Sequence, residues 1–364
     1  MRGFDYRRPH MIFKINKNKC LIKIGERVLE NFNFSNLKAS SFVVICDKNS
    51  NKLFNDYIAS ALEKTKTPFF FIELVEGEDN KNIESIISAA REMVRKGVDR
   101  KAVIMSLGGG VVGDRAGFLA SIYMRGIRYI QVPTTLLAQV DSGLGGKTGI
   151  NIPEGKNLIG TIYQPEAIII DAFFLKTLSD KEWLNGMAEI IKYAVIGDQN
   201  LFDLLEKNIN NRSKDFILAV IKKCIKIKLD IVAIDEKENG PRKILNYGHT
   251  IGHALETVSE HKIKHGEAVA SGMVYEAMIS NMLGILSSKD MERQNKLIKS
   301  FGFNTAINLN LEEIVKVIKN DKKVEDKMVC FVLPNKIGSV KKIGNRVVIP
   351  VEIEVIRKVL KSMI

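Results

Sequence analysis

The sequence is poor in cysteine, and the few cysteines it has are far apart. No two of them form a CxxC pair, which argues against a zinc ribbon and against a redox motif of that kind. The four are Cys20, Cys46, Cys224 and Cys330. Such isolated cysteines are typical of buried thiols in a reducing compartment. The sequence has no basic segment followed by a short apolar one, so it gives no indication of a signal peptide. We therefore expect a cytoplasmic protein.

Long apolar runs are also missing. The longest weakly charged stretch, residues 268–288, carries Glu276 and Asn281, which is more typical of a core helix than of a membrane span. Hydrophobic residues make up 45% of the chain and charged residues 27%, a balance that excludes the disordered and fibrous classes. The length of 364 residues is enough for about two domains. We therefore expect a globular protein without a membrane partner.

The charge is unbalanced, with 55 Lys and Arg against 42 Asp and Glu and a net charge of +13. Such an excess can indicate a nucleic-acid partner, an anionic substrate or a lysine-rich composition. The lysines are spread along the whole chain and form no basic arm and no arginine cluster interleaved with aromatic residues. This distribution argues against nucleic acid and keeps an anionic substrate open.

The pattern of the chain changes near residue 178. Before it, short β-branched runs alternate with helical patterns such as residues 82–96, which predicts a parallel sheet with helices on its faces. The strand-like runs are Phe42–Cys46, Phe69–Leu74, Ala102–Leu107, Ile127–Val132 and Ala167–Ile170. After residue 178 the apolar spacing is mostly helical, as in 214–232 and 265–286, with a late strand pair at 328–333 and 346–349.

We therefore predict an α/β, Rossmann-like nucleotide-binding domain over residues 1–177. A mainly α-helical domain that binds metal and substrate is predicted over residues 178–364. Residues 1–10 show no periodicity, and we predict that they form a leader that is either poorly ordered or not native to the protein. His10 is accordingly excluded from any site.

Glycine is concentrated in one part of the chain, where 12 of the 27 glycines lie between Gly108 and Gly160. The run from Gly108 to Asp114 follows a predicted strand and contains the GxGxxG spacing of dinucleotide sites. It follows the third strand rather than the first, and no acid ends the next strand. Asp47 instead ends the first strand, where it could accept a hydrogen bond from a ribose hydroxyl. The alternative is that the glycines only permit tight packing of helix on sheet.

Four of the five histidines lie between residues 249 and 265. His249 and His253 are four residues apart, so one helix face presents either two metal ligands or a ligand and a base. The spacing resembles HExxH, but Thr250 stands where a zincin needs its general base, which argues against a metalloprotease. Upstream, Glu189 and Lys192 share a helical face. Two histidines and a carboxylate would leave positions open for a catalytic zinc; the alternative is a set of structural histidines.

Cationic and amide side chains lie within or beside these motifs. They are Lys147, Lys156, Asn157, Lys192, Lys228, Arg242 and Asn246. Lysines are usually solvated surface charges, but the placement of several of these inside Gly-rich or His-adjacent segments indicates ligand binding. Several cations beside a metal suit an anionic substrate that carries phosphate and carboxylate.

In this order the motifs resemble the 3-dehydroquinate synthase family, a group of sugar phosphate cyclases, over nearly the whole chain after the leader. The matching blocks are Ser106–Asp114, Arg125–Gly126, Pro133–Ser142, Gly145–Asn151, Gly155–Asn157, Asn185–Lys192, Asn246–Ala254 and His265–Ala270. The chain departs from the family pattern at Gly143, where the family commonly has Ser, and at Arg128. Neither departure is expected to affect the chemistry.

The resemblance implies an enzyme, an NAD- and metal-dependent carbon–oxygen lyase of the shikimate pathway of aromatic amino acid biosynthesis. It would convert 3-deoxy-D-arabino-heptulosonate 7-phosphate to 3-dehydroquinate and phosphate, with NAD used catalytically and Zn²⁺ or Co²⁺ bound. A cytoplasmic homodimer is implied as well, with neither nucleic acid nor membrane as a partner.

The resemblance also assigns residues. The metal ligands would be Glu189, His249 and His265, and the catalytic residues His253, Glu238 and Lys192. NAD would be bound by Asp47, Glu78, Lys81, Gly110, Val111, Val112, Gly113, Asp114, Thr134, Thr135, Lys147, Lys156, Phe174, Leu175, Lys176 and Thr177. The substrate would be held by Arg125, Asp141, Lys147, Asn157, Lys192, Lys228, Arg242, Asn246 and one or both of Lys322 and Lys323. Arg125 would reach across a dimer interface.

Three alternatives stay open. A sister sugar phosphate cyclase would make a valiolone or an inosose, but Lys228, Arg242, Asn246 and His253 together favour a substrate with a carboxylate. A related metal-dependent polyol dehydrogenase usually has Asp in the role of Glu189 and lacks the lysine set. A basic nucleic-acid-binding protein is the third alternative, and no motif supports it.

Overall fold

The computed structural model describes residues 10–15, 18–260, 262–306, 309–320, 324–325 and 328–362. Two units divide the chain: the first comprises Met1–Ser179 and Lys214–Ile225, the second Asp180–Ser213 and Lys226–Ile364. Of the predicted leader, residues 1–9 lie outside the described residues, and His10 begins the first strand.

The first unit contains nine strands and the first three helices of the described chain. The strands are β1 (His10–Ile15), β2 (Asn18–Gly25), β3 (Phe42–Asp47), β4 (Phe69–Leu74), β5 (Val103–Gly108), β6 (Arg128–Pro133), β7 (Lys147–Ile152), β8 (Gly155–Ile162) and β9 (Ala167–Asp171). The helices are α1 (Lys48–Glu63), α2 (Ile83–Arg95) and α3 (Gly110–Ile122). All five predicted strands are confirmed, with ends displaced by one residue at most.

Seven of these strands form one sheet in the order β1-β2-β9-β6-β5-β3-β4. Only the β1–β2 pair is antiparallel; the other neighbours run parallel. Successive residues of β3 alternate between two core clusters, since Val43 lies in one and Val44 in the other. A parallel sheet covered on both faces needs such continuous apolar strands, which is why the sequence predicted the fold class correctly.

The hairpin of β7 and β8 was not predicted, because its residues fall in the glycine-rich segment. Gly149 and Gly160 are paired across it. A Cβ on Gly160 would lie 2.2 Å from the Thr148 carbonyl oxygen, and one on Gly149 would lie 2.7 Å from that of Ile159. At these two positions the glycines allow close packing of one strand on the other, whereas the alternative reading of the segment proposed packing of helix on sheet.

The second unit is mainly helical. Its helices are α4 (Asp180–Gly197), α5 (Gln199–Glu206), α6 (Lys214–Ile234, which both units share), α7 (His249–Val258), α8 (His265–Met282), α9 (Ser288–Ser300), α10 (Leu311–Asn320) and α11 (Ile353–Lys361). Its strands are β10 (Val324–Glu325), β11 (Met328–Phe331), β12 (Pro334–Lys336), β13 (Ser339–Val340) and β14 (Ile349–Glu352). Within the described ranges, none of the helices is long and apolar enough to cross a membrane.

The late strand pair is confirmed, but the predicted position of its second strand was wrong. Met328–Phe331 pairs antiparallel with Ile349–Glu352, about three residues beyond the predicted 346–349. Arg346 instead forms an isolated bridge with Ile343 in the preceding turn. Of the apolar run Val347 to Ile349, only Ile349 lies in the strand, as its first residue.

Candidate active site

Glu189, His249 and His265 come together in the second unit. Their ligand atoms all lie within 4.8 Å of one another. Glu189 Oε1 is 3.4 Å from His249 Nε2 and 3.2 Å from His265 Nε2. Ligand atoms bound at about 2.0–2.1 Å to a tetrahedral Zn²⁺ lie about 3.3 Å apart. The three side chains therefore have the chemistry and spacing of a three-ligand zinc site.

The outer ring nitrogen of each histidine is also occupied. His249 Nδ1 is 3.0 Å from the Tyr247 carbonyl oxygen, and His265 Nδ1 is 3.1 Å from Glu256 Oε1. Each outer nitrogen thus has an oxygen acceptor, and Nε2 is the ring nitrogen of both histidines that faces Glu189 and is placed to bind a metal. Metal-binding histidines are typically oriented by such partners, so Glu256 is a site residue that sequence reasoning missed.

Glu189 is fully buried, and the ammonium of Lys192 contacts its second oxygen, Oε2. The two residues are three apart on α4, so they share one helix face, as predicted. Burial acts to raise the pKa of Glu189, but Lys192 and the two histidines outweigh it and hold that pKa well below the usual range. The carboxylate is therefore ionised and available to a cation.

His265 carries a proton when no metal is bound. Burial acts to lower its pKa, but hydrogen bonds to Glu189 and Glu256 outweigh burial and raise the pKa to about 10. A metal ligand must be deprotonated. Metal binding at neutral pH therefore expels this proton.

A buried carboxylate holds the start of α7, the helix that carries His249 and His253. Glu276 of α8 accepts hydrogen bonds from the backbone N–H groups of Gly248, at 2.7 Å, and of Thr250, at 3.2 Å. Orphan N–H groups at a helix N-terminus favour an anion. A Cβ on Gly272 would lie 1.9 Å from the Gly248 carbonyl oxygen, so only glycine allows α8 to pack this closely against α7. Sequence reasoning did not find Glu276.

His253 lies one turn after His249 on the same helix and is exposed. Its ring centroid is 5.3 Å from that of His249 and 6.4 Å from that of His265. The sequence left open whether this pair supplies two ligands or a ligand and a base. Because Glu189 contacts His249 and His265, the geometry favours His249 as the ligand.

The expected substrate residues of the second unit flank this cluster in sequence and are held in place. Asn246 Nδ2 donates to Glu238 Oε1 at 2.8 Å. Arg242 is 2% exposed and donates from Nη1 to the Glu236 carbonyl oxygen at 2.5 Å, and Lys228 is 5% exposed. A cavity of about 640 Å³ has Glu238 and Asn246 in its lining. Lys322 and Lys323, like His261, lie outside the described residues.

Some expected site residues adopt a left-handed backbone. Glu238 has φ +59°, Asn157 has φ +55° and Arg125 has φ +69°. Such values are uncommon for residues other than glycine, and they cluster at functional sites. Glu238 and Arg125 were singled out from the sequence by the resemblance alone, and Asn157 also by its place beside the glycine-rich motifs. The backbone conformations of all three are consistent with a site role.

In the first unit, α3 begins directly after β5, as the GxGxxG spacing predicts. Gly109 is the N-cap residue and supplies no side-chain cap. A Cβ on Gly110 would lie 2.7 Å from Ser142 Oγ, so glycine keeps the first turn of the helix open. The backbone N–H groups of this first turn correspond to those that bind phosphate in dinucleotide sites. The next strand, β6, ends just before the buried Thr134 and the partly buried Thr135.

A polar cluster lies at the same edge of the sheet. Lys81 Nζ is 2.6 Å from Asp114 Oδ2 and also contacts Asn157 Oδ1. Asn151 links the same group, because its Nδ2 donates to Glu78 Oε1 at 2.8 Å and its Oδ1 accepts from Asn157 N at 2.9 Å. The structure thus brings together four residues expected at the NAD or substrate site, and it adds Asn151.

Other expected residues of this unit have additional or different roles. Asp47 caps α1 by accepting from Ser50 N at 2.6 Å. Phe174 and Leu175 are buried, Phe174 within the core, so their side chains serve packing. The exposed Lys176 pairs with Glu26 at 2.6 Å. The NAD contacts assigned to these residues and to Thr177 stay predictions, as do those of Lys147 and Lys156, both exposed, and the substrate contacts of Arg125 and Asp141.

Comparisons with known proteins agree along the chain. Residues 71–185 match the family described as "3-dehydroquinate synthase N-terminal", and residues 186–324 match "3-dehydroquinate synthase C-terminal". The 3-dehydroquinate synthase of Thermodesulfovibrio yellowstonii is 43% identical over 324 residues, 87% of this chain and 89% of that protein.

Two solved structures are similar over almost the whole chain. A 2-deoxy-scyllo-inosose synthase, complexed with carbaglucose-6-phosphate, NAD⁺ and Co²⁺, has a TM-score of 0.91 and 27% identity, covering 98% of this chain and 100% of the other. The 2-epi-5-epi-valiolone synthase of Streptomyces hygroscopicus, with NAD⁺ and Zn²⁺ bound, has a TM-score of 0.85 and 25% identity, covering 97% and 99%.

The parallel sheet with its glycine-rich turn, the helical unit and the Glu–His–His cluster define a protein with the fold of the sugar phosphate cyclases. Within that class, the sequence matches identify the family. The chain belongs to the 3-dehydroquinate synthase family.

Proposed function

We propose that this chain is a 3-dehydroquinate synthase that converts 3-deoxy-D-arabino-heptulosonate 7-phosphate to 3-dehydroquinate and phosphate, a lyase reaction of the shikimate pathway. The observation that carries the proposal is the cluster of Glu189, His249 and His265 in a chain that matches this family over both of its parts. The two cyclase neighbours hold NAD⁺ and Co²⁺ or Zn²⁺, which supports the same cofactors here.

The metal would be held by Glu189 Oε1 and by the Nε2 atoms of His249 and His265, and their donor set suits Zn²⁺ or Co²⁺. NAD would be held at the edge of the sheet where α3 begins, near Lys81 and Asp114. The chemistry that these groups would supply is Lewis-acid polarisation of substrate hydroxyls by the metal and reversible hydride acceptance by NAD.

The residues of the chain bind and orient the substrate and move protons. Arg242 and Lys228 are buried cations in the second unit, suited to carboxylate or phosphate groups that would otherwise be poorly solvated. Lys192 forms an ion pair with the Glu189 carboxylate, and its ammonium group is a further hydrogen-bond donor for substrate oxygens. His253 is exposed on the helix of His249, where its imidazole nitrogen can take or give a proton. Glu238 is kept in place by Asn246 and is the second acid/base group.

A homodimer is part of the proposal. β8 pairs with β7, and no other described strand pairs with it. Leu158, Ile159 and Ile162 on β8 are all more than 40% exposed, as are the nearby Ile122 and Met124. An exposed apolar edge strand is suited to pairing with a second copy. Arg125 directly follows Met124, which supports its expected reach across such an interface. The cytoplasmic location and the absence of a nucleic-acid partner stay predictions from the sequence.

The substrate carboxylate distinguishes the proposed activity from that of the sister cyclases, whose substrate would lack this group. We expect phosphate release from 3-deoxy-D-arabino-heptulosonate 7-phosphate with a kcat/KM at least ~10³-fold above that for glucose 6-phosphate, because buried cations left without their anion are costly. The measurement is phosphate release by the metal- and NAD-loaded protein with each substrate. A preference for the sugar phosphate without a carboxylate would assign the chain to an inosose-forming activity instead.

A further inference from the structure

Both histidine ligands of the proposed metal site stand at the start of a helix. His249 is the first residue of α7, and His265 is the first residue of α8. The ring of His249 lies against its own helix end, because its Nδ1 is 3.0 Å from the carbonyl oxygen of Tyr247, two residues earlier. The N-terminus of a helix carries a partial positive charge that disfavours a nearby cation. A divalent metal held by these histidines therefore needs negative charge close to the helix ends.

Glu276 supplies such a charge at the start of α7. This residue of α8 is fully buried, and its carboxylate accepts hydrogen bonds from the N–H groups of Gly248 at 2.7 Å, Thr250 at 3.2 Å and Ile251 at 3.3 Å. An ionised carboxylate is an acceptor only, which fits three N–H donors. A neutral Ser or Asn in place of Gly248, the N-cap residue, could satisfy such N–H groups. The presence of a buried charge, which is costly, indicates a role beyond capping.

The negative charge around the two histidines is unequal without this contact. The Nδ1 atom of His265 is 3.1 Å from the carboxylate of Glu256, whereas the partner of His249 Nδ1 is a neutral backbone carbonyl group. The carboxylate of Glu189 faces both histidines, but the ammonium of Lys192 offsets its charge. The buried carboxylate at the start of α7 therefore gives His249 the nearby negative charge that its own Nδ1 partner does not provide.

We propose that Glu276 is a positioning residue of the metal site, which acts by cancelling the positive end of α7 and so strengthens the binding of a divalent cation at His249. The inference rests on the proposed metal ligands. Glu276 does not touch the metal in this account; it acts through the helix end that carries the ligand. Because the carboxylate is buried, its effect is weakly screened by water and salt.

The test is the Kd for Zn²⁺, measured by titrating the zinc-loaded full chain with a chelator of known affinity. Glu276→Gln removes the charge and should weaken Zn²⁺ binding by about 10- to 100-fold, the usual effect of losing a partner behind a metal ligand. Glu276→Asp keeps the charge and should stay within about threefold of the parent. With saturating Co²⁺ in place of Zn²⁺, the visible spectrum of Glu276→Gln should match that of the parent, because the three ligands are unchanged.

Glu267→Gln is the matched control for the lost charge. Glu267 lies in the first turn of α8, the helix that begins with His265, and it accepts from the backbone N–H of Lys264 at 3.4 Å. Its side chain is exposed, so water and salt screen its charge. The Kd for Zn²⁺ should change by no more than about twofold in this variant.

The outcomes separate this inference from the proposed function. If Glu276→Gln is less stable to heat but binds Zn²⁺ as tightly as the parent, Glu276 only supports the fold and the inference is overturned. A changed Co²⁺ spectrum would show that a ligand has moved and would overturn the action by charge. If the parent itself binds Zn²⁺ more weakly than ~1 mM, the proposed metal site fails and the inference fails with it. If Glu276→Gln does not fold, Glu276→Asp decides, since a Kd about tenfold weaker than that of the parent would contradict the inference.

Discussion

His265→Ala should yield a folded protein that has lost its metal and its activity. The proposed site has only three protein ligands, so removal of one leaves a two-ligand shell, and metal affinity depends on the complete set. His265 is also the ligand that Glu256 orients, at 3.1 Å. Its side chain is partly exposed at the first residue of α8, so its removal should hardly affect packing. Metal content by mass spectrometry, activity and circular dichroism are measured on the purified protein.

His253→Ala is the control for that experiment, since His253 lies in the same cluster of rings but is not expected to bind the metal. The His265→Ala protein should be metal-poor, and the His253→Ala protein should hold as much metal as the parent. Full metal content together with parental activity in His265→Ala would contradict the ligand assignment.

His253→Ala should slow turnover by ~10² to 10⁴, the usual range for loss of a general acid or base. The slowing should appear in kcat, and the arm of the pH–rate profile that reports this group should disappear. A purely structural role for His253 would not remove an arm of that profile. The measurement is the pH dependence of kcat for parent and variant, with metal content determined in parallel.

The two helical histidines would have exchanged roles if His253→Ala loses its metal. In that case His249 would be the acid/base group. The contact between His249 Nε2 and Glu189 Oε1 at 3.4 Å would then be a hydrogen bond of the metal-free protein only.

Much of the fold could be predicted because the strands of the central sheet are buried on both faces. β3, β5 and β9 consist almost entirely of buried residues, and such runs stand out in a sequence. The metal ligands could be predicted as candidates, because histidines are scarce and four fall within 17 residues. The alternation of Cys20, Ile22 and Ile24, all buried, is a strand signal for β2 that was overlooked.

The rest depends on contacts between distant parts of the chain. β8 is mostly exposed and its burial does not alternate, so no pattern of buried and exposed positions marks it as a strand. Glu276 reaches the start of α7 from 28 residues away, and no local pattern predicts that contact. Glu256 is different, because it lies seven residues after His249 on the same helix face and could have been found. Arg115 reads as an ordinary helical arginine until the fold buries it and places its guanidinium against the Val75 carbonyl oxygen.

The most direct test of the central claim is the number of phosphates released per NAD. The metal-loaded protein is given limiting NAD and excess 3-deoxy-D-arabino-heptulosonate 7-phosphate, and phosphate and NADH absorbance are followed together. A cyclase returns the hydride in each turnover, so we expect many phosphates for each NAD and no net growth of the NADH band. Stoichiometric accumulation of NADH without phosphate release would contradict the account and indicate a polyol dehydrogenase.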